Sequence, residues 1–93
     1  MSSQPIQMNT HFLLMAQYNE AAVIPVDRVA ADYFSPLTTR KFLVYIARGK
    51  IKLPLVRLYP DTKSAKGVHL ADLATYIDER RQAALKECRQ LHQ

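Results

Sequence analysis

The sequence predicts a small α+β domain, and three observations carry this prediction. The chain has 93 residues, which is enough for one core and too few for two independent domains. Hydrophobic residues make up 48% of the chain and charged residues 23%, as in ordinary globular proteins. Apolar residues recur at helical spacing in some segments and form short β-like runs in others, so we expect helices and a small sheet around one core.

Several classes of protein are disfavoured by the same composition. The longest apolar run, Phe42–Ala47, has six residues, whereas a membrane-spanning helix needs about 20. The N-terminus has no basic segment followed by a long apolar stretch, so we expect no secretory signal there. Cys88 is the only cysteine, which allows no internal disulfide and no cysteine-based zinc site. We therefore expect a cytoplasmic protein without a cofactor, a bound metal or a membrane partner.

The N-terminal part divides into a lead and the start of the domain. Residues 1–8 are predicted to be a flexible lead, and residues 9–93 a single domain. The apolar run Phe12–Ala16 ends at a turn signal at Asn19. We interpret it as a strand over about residues 10–17, with a helical turn as the alternative, because the spacing of so short a run does not decide between them.

Two short helices are predicted next. Apolar spacings of three and four from Val26 to Phe34 predict a helix that begins near Pro25 and ends before Pro36. Thr38 is a good N-cap for the second helix, and Gly49 follows it as the expected left-handed residue. A short turn therefore separates a first helix from a well-capped second one.

The C-terminal half reads as a hairpin and a long helix. The residues after Pro54 are β-like, residues 60–65 form a polar loop, and residues 67–70 form the return strand. Asp72 then opens a helix predicted over residues 72–90. Strand, helix-turn-helix, β-hairpin wing and long C-terminal helix are the elements of a small winged helix-turn-helix. Both glycines fit this architecture, since Gly49 follows the second helix and Gly67 lies in the wing.

The positive charge is concentrated in the middle of the chain. Residues 35–69 carry eight basic residues and one acidic residue, a net charge of +7, whereas the whole chain carries +5. A local basic block is typical of nucleic-acid binding. A solvated basic face without a partner is the alternative, because net charge alone says little about partners.

Several segments, in this order, resemble one known family. They are Met8-Asn9-Thr10, Phe12–Tyr18, Val23-Ile24-Pro25, Asp32-Tyr33-Phe34 with Leu37-Thr38, Leu53–Arg57, Ser64–Leu70 with Asp72-Leu73-Ala74, and Tyr76-Ile77-Asp78. Together they are similar to the pyocin activator family (PrtN-like proteins), over about residues 8–82. The resemblance implies a small phage- or prophage-linked transcription activator that binds DNA upstream of bacteriocin or phage-tail genes.

The second helix is the predicted recognition helix. Its candidate DNA-binding residues are Thr38, Thr39, Arg40, Lys41, Val44 and Arg48. Arg40 is the best base contact, because arginine can bind guanine O6 and N7 together, although a contact to phosphate alone is the alternative. The turn and wing add Lys50, Lys52, Lys63, Ser64 and Lys66 as candidates, mainly for phosphate. Many excisionase-like helices are basic where this one has Leu43 and Val44, which could instead contact a thymine methyl or another protomer.

A homodimer is the expected assembly on double-stranded DNA, and host RNA polymerase is a possible further partner. The candidate dimer contacts are Phe12, Leu14, Ile77, Ala84 and Leu91, taken from the apolar N-terminal run and from a partial heptad in the last helix. Completion of the monomer core is the alternative role for both.

No nucleophile motif, phosphate-binding glycine loop or paired metal-ligand spacing is present, so we expect no enzyme. The alternatives to an activator are an excisionase-like protein that bends DNA and a phage-encoded protein–protein interaction module.

Overall fold

The computed structural model describes residues 9–61 and 63–92, so the predicted flexible lead at 1–8 lies outside the described residues. Within these ranges the chain forms four helices and a three-stranded antiparallel sheet, which confirms the α+β class. The helices are α1 Thr10–Gln17, α2 Val26–Tyr33, α3 Thr39–Ala47 and α4 Leu70–Leu91; the strands are β1 Val23–Pro25, β2 Val56–Arg57 and β3 Lys66–His69.

The strand predicted over residues 10–17 is wrong, because this segment is helix α1. Asn9 is its N-cap, and the Asn9 side-chain oxygen accepts a hydrogen bond from the Phe12 N–H at 2.8 Å. This bond satisfies one of the free N–H groups of the first turn, which a strand would not need. Leu14 packs into the core while Phe12 and Leu13 remain exposed, so α1 carries apolar side chains on its outer face as well.

Strand β1 is an element that the sequence prediction lacks. The sheet order is β1-β3-β2, with Pro25 paired to Gly67 on one side and Val56 paired to Gly67 on the other. A Cβ atom added at Gly67 would lie 2.4 Å from Val23 Cγ1 and 3.1 Å from the Ile24 carbonyl oxygen. Glycine at this position therefore lets β1 approach the predicted wing closely.

Helices α2 and α3 form where the sequence predicts them. The Thr38 hydroxyl oxygen accepts a hydrogen bond from the Lys41 N–H at 3.1 Å, and Gly49 has φ +75°, so both capping predictions are confirmed. Phe42 is completely buried at the centre of the core. The Phe34 ring lies 4.6 Å from the Phe42 ring and 5.6 Å from the Tyr76 ring, which joins α3 to α4 through the residue that follows α2.

Helix α4 begins two residues before the predicted start and ends one residue after the predicted end. His69 is its N-cap, since His69 Nδ1 accepts a hydrogen bond from the Ala71 N–H at 3.0 Å. The first turns bury Leu70, Leu73 and Ala74, and most side chains beyond Ile77 are exposed. The helix therefore projects beyond the core that anchors its beginning.

One buried hydroxyl group fastens α1 to α2. The Tyr18 hydroxyl donates a hydrogen bond to the Asp32 carboxylate at 2.7 Å, and the Arg28 guanidinium lies 5.0 Å from the centre of the Tyr18 ring. Burial, followed by the hydrogen bond to Asp32, raises the pKa of Tyr18 well above its ordinary value. The bond keeps this buried polar atom satisfied beside the core.

Candidate nucleic-acid interface

Helix α3 has a buried face and an opposite, basic face. Phe42 is buried and Ile46 is half-buried, whereas Arg40, Lys41 and Arg48 are exposed. Val44 lies on the exposed side, with 36% of its surface accessible. Because positions three and four apart share one side of a helix, the core contact at Phe42 forces the basic residues outward.

The two threonines at the start of α3 are placed differently from these residues. Thr38 is exposed, but its hydroxyl oxygen is already engaged with the Lys41 N–H. Thr39 is half-buried. Thr38 therefore has an established structural role, and the exposed helix residues after it are better placed to meet a partner.

A shallow groove runs along the exposed side of α3. Its lining residues are Thr38, Arg40, Lys41, Val44, Tyr45, Arg48 and Lys50. Four of them are basic and none is acidic, so every charged group on the lining is positive. Lys50 Nζ lies 5.1 Å from the centre of the Tyr45 ring, a cation–π contact that positions this ammonium group at the end of the helix.

A second depression adjoins this groove and includes residues from α4. It is lined by Lys50, Lys52, Tyr76, Glu79 and Arg80. Sequence reasoning missed Arg80, because it lies outside the basic block and comes near Lys50 and Lys52 only when the chain folds. The neighbouring Glu79 offsets part of the positive charge there.

In the predicted wing, the structure separates the lysines from Ser64. Lys63 is exposed and Lys66 is half-buried, so both ammonium groups can face solvent. Ser64 is only 3% exposed, and its hydroxyl donates a hydrogen bond to the Asp61 carbonyl oxygen at 2.7 Å. The Ser64 side chain therefore stabilises the loop from its buried side, where it is not available to contact a partner.

The candidate dimer residues do not form one surface. Leu14 is 2% exposed and belongs to the core of its own chain, because α1 is a helix that packs this side inward. Ile77 is half-buried against the same core. Phe12 is 51% exposed and Leu91 is 80% exposed, and Ala84 is also exposed. Leu14 is thus unavailable to a partner in this structure, whereas Phe12, Ala84 and Leu91 are accessible.

The described part of the chain has neither a cluster of metal-ligating side chains nor a membrane-spanning helix. No three histidine, cysteine, aspartate or glutamate side chains of residues 9–61 and 63–92 come together as a metal site would require. Among the helices described, none combines the length and the apolar character needed to cross a bilayer.

Comparison with known proteins identifies the family. The profile of the family described as pyocin activator protein PrtN matches residues 10–84, from the start of α1 into α4. No curated protein and no solved structure matches the chain. The family match includes every candidate DNA-binding residue and covers most of the chain. It indicates a regulatory role in activating phage or bacteriocin genes. The chain therefore belongs to the pyocin activator protein PrtN family.

Proposed function

We propose that this protein is a sequence-specific, double-stranded DNA-binding activator of phage, prophage or bacteriocin genes. In this proposal α2 and α3 act as a helix-turn-helix, and β2 and β3 with their loop act as the wing. The exposed face of α3 carries the proposal, since Arg40, Lys41 and Arg48 line a groove without an acidic residue. The family membership supports the activator role.

The first half of α3 is suited to the major groove. That groove is about 12 Å wide and admits an α-helix. Arg40 and Lys41 lie in the first turn, which leads a helix that enters by its N-terminus. Arg40 can donate two hydrogen bonds to one guanine, and Val44, one turn later, can contact a thymine methyl group.

The remaining basic residues are suited to the phosphate backbone. Arg48, Lys50 and Lys52 follow one another at the end of α3 and in the turn after it. Lys63, which is exposed, and Lys66, which is half-buried, would add phosphate contacts from the wing. Phosphate contacts of this kind position a protein on the duplex and make its affinity dependent on salt.

The test is fluorescence anisotropy with labelled duplexes from host and prophage promoters, beside a scrambled duplex. Titrations at about 50 and 200 mM salt cover the range in which phosphate contacts show their salt dependence. We expect tight binding to a subset of promoters that persists at the higher salt. Absence of binding even at low salt would refute the proposal and direct attention to protein partners of the exposed Phe12 and Leu13.

Arg40→Glu tests whether Arg40 recognises the DNA sequence. Loss of a bidentate guanine contact predicts about a 10- to 100-fold loss of affinity for the selected promoters. The fold should persist, because a glutamate in the first turn favours the helix dipole. Lys86→Glu makes the same change of charge on an exposed part of α4 and should leave promoter binding nearly unchanged. Unaltered promoter selectivity in Arg40→Glu would contradict the assignment of α3 as the recognition helix.

Activation and DNA bending can be separated once a promoter is found. In vitro transcription with host RNA polymerase should show more transcript when the protein is added. Permuted-fragment electrophoresis measures bending on the same promoter. Bending without an increase in transcript would favour the excisionase-like architectural function instead.

A further inference from the structure

The face of α4 that packs on the core continues as an exposed stripe beyond it. Leu73 and Ile77 pack against the core, and Ala84, Cys88 and Leu91 follow on the same side of the helix. All three of these later residues are exposed, Leu91 to 80%. Residues 78–91, here the distal half of α4, thus carry a narrow apolar stripe that no other described segment covers.

We propose that this stripe packs against the same stripe of a second copy of the chain, with the two helices antiparallel and Ala84 at the twofold axis. A surface that pairs with itself must be self-complementary, and a small residue at the axis lets two helices approach closely. The inference specifies the homodimer expected of the proposed DNA-binding protein. It concerns assembly in the absence of DNA, so it succeeds or fails separately.

The position of the core determines the direction of pairing. In a parallel pair, the partner helix would run beside residues 70–77, where α1 and the sheet already cover this face. The globular parts of the two copies, which surround the beginning of α4, would then clash. An antiparallel pair places the globular part of each copy beyond the C-terminal end of the other copy's α4, where space is available.

The charges beside the stripe favour the same direction. Arg80 and Glu87 are two turns apart on one edge of the stripe, too far apart to pair within a single helix. Antiparallel packing about Ala84 places Arg80 of each copy next to Glu87 of the other, which gives two ion pairs. Parallel packing would instead place Arg81 against Arg81, and like charges at such positions are unfavourable. Arg80 also lies beside Lys50 and Lys52, so an added carboxylate relieves repulsion there.

The ends of the proposed interface also match. Ile77 of one copy lies opposite Leu91 of the other, since the two residues are equally far from Ala84. At this place the Thr10 hydroxyl donates a hydrogen bond to Asp78, which brings the first turn of α1 beside α4. Phe12 belongs to that turn and is 51% exposed. The Leu91 side chain of one copy therefore approaches the part of the other copy that carries Ile77 and Phe12.

Sedimentation equilibrium of the full chain over a range of concentrations tests the proposal. Ala84→Glu places two like charges together at the axis and should raise the dimer dissociation constant by at least about tenfold. Gln82→Glu introduces a glutamate on the opposite side of the same helix, where it should leave the dimer intact. Both positions are exposed, so far-UV circular dichroism should be unchanged in both variants. A monomeric wild type, or an Ala84→Glu variant that dimerises like the wild type, would overturn the proposal.

Charge exchange and cross-linking test the direction of pairing. Arg80→Glu and Glu87→Arg should each weaken the dimer, and the double variant should restore it. In the antiparallel pair the two Cys88 residues are farther apart than the roughly 7 Å between Cα atoms that a disulfide tolerates, so oxidised wild type should not cross-link. Ala84→Cys combined with Cys88→Ser should cross-link at the axis. Efficient cross-linking through Cys88, or no restoration in the double variant, would refute the antiparallel arrangement.

Discussion

Gly67→Ala should destabilise the protein even though alanine is the better residue for a strand. Alanine normally gains about 0.5–1 kcal/mol over glycine inside a strand, because glycine loses more backbone freedom on folding. Here the added methyl group would lie 2.4 Å from Val23 Cγ1, well inside normal contact distance. Val23 cannot simply rotate away, since its branched side chain is stiff and half-buried.

The expected cost follows from these opposing effects. Overpacking a tight site costs about 1–3 kcal/mol, and alanine regains about 0.5–1 kcal/mol, so the net loss of unfolding free energy should be about 1 kcal/mol. For a domain of this size, each kcal/mol corresponds to about 4–8 °C in Tm. Val23→Ala alone removes two methyl groups from a half-buried site and should cost about 1 kcal/mol. The double variant should be almost as stable as Val23→Ala, with a remainder from the Ile24 carbonyl oxygen at 3.1 Å.

Urea denaturation of the four proteins, followed by circular dichroism, measures these differences as a double-mutant cycle. We expect a coupling energy of about 1 kcal/mol between the two positions, with unchanged denaturant slopes. Additive effects of the two substitutions, or a Gly67→Ala variant as stable as the wild type, would refute the close approach of β1 and β3 as the reason for glycine.

Two other predictions concern single side chains. Because the pKa of Tyr18 is raised in the folded state, the unfolded chain loses the Tyr18 proton near pH 10 while the folded chain keeps it. The contribution of Tyr18 to the unfolding free energy is therefore fully present below that pH and decreases above it. Tyr18→Phe should lower the unfolding free energy by about 1 kcal/mol at neutral pH and reduce its decrease with pH above pH 10, as measured by urea denaturation. An unchanged decrease with pH in this range would contradict the prediction. Thr38→Ala should lower the unfolding free energy by about 1 kcal/mol through loss of the N-cap, and Thr38→Asn should restore it. At temperatures well below Tm, both Thr38 variants should bind DNA with the affinity of the wild type. A loss of affinity would show that the Thr38 hydroxyl contacts phosphate.

Local signals explain why some elements could be predicted and others could not. Helix α3 is bounded by Thr38 and Gly49, whose effects depend only on neighbouring residues, and its prediction was accurate. The run from Phe12 to Ala16 is too short for its apolar pattern to distinguish helix from strand. The deciding residue was Asn9, an N-cap signal just before the run. Strand β1 depends on pairing with the distant β3, which no local pattern reports.

The candidate site shows the same division. Exposure of Arg40, Lys41 and Arg48 follows from helical spacing once Phe42 is assigned to the core. Burial of Ser64 depends on how the loop closes over it. The position of Arg80 depends on how α4 lies beside the turn that follows α3. These last two placements arise from tertiary packing, so composition and periodicity could not supply them.

The ring contacts around Phe34 would have a mechanical consequence for the proposed binding to DNA. Phe34 lies between Phe42 of α3 and Tyr76 of α4, so the three helices resist tilting separately. If α3 binds DNA as proposed, these contacts would oppose its adjustment to an ill-fitting groove, so the duplex would deform instead. Smooth bending of a site of 20–30 base pairs by 40–90° costs about 1–6 kcal/mol, depending on the sequence that is bent. Bound in the proposed manner, the protein should therefore favour flexible steps such as TA at positions that none of its side chains touches.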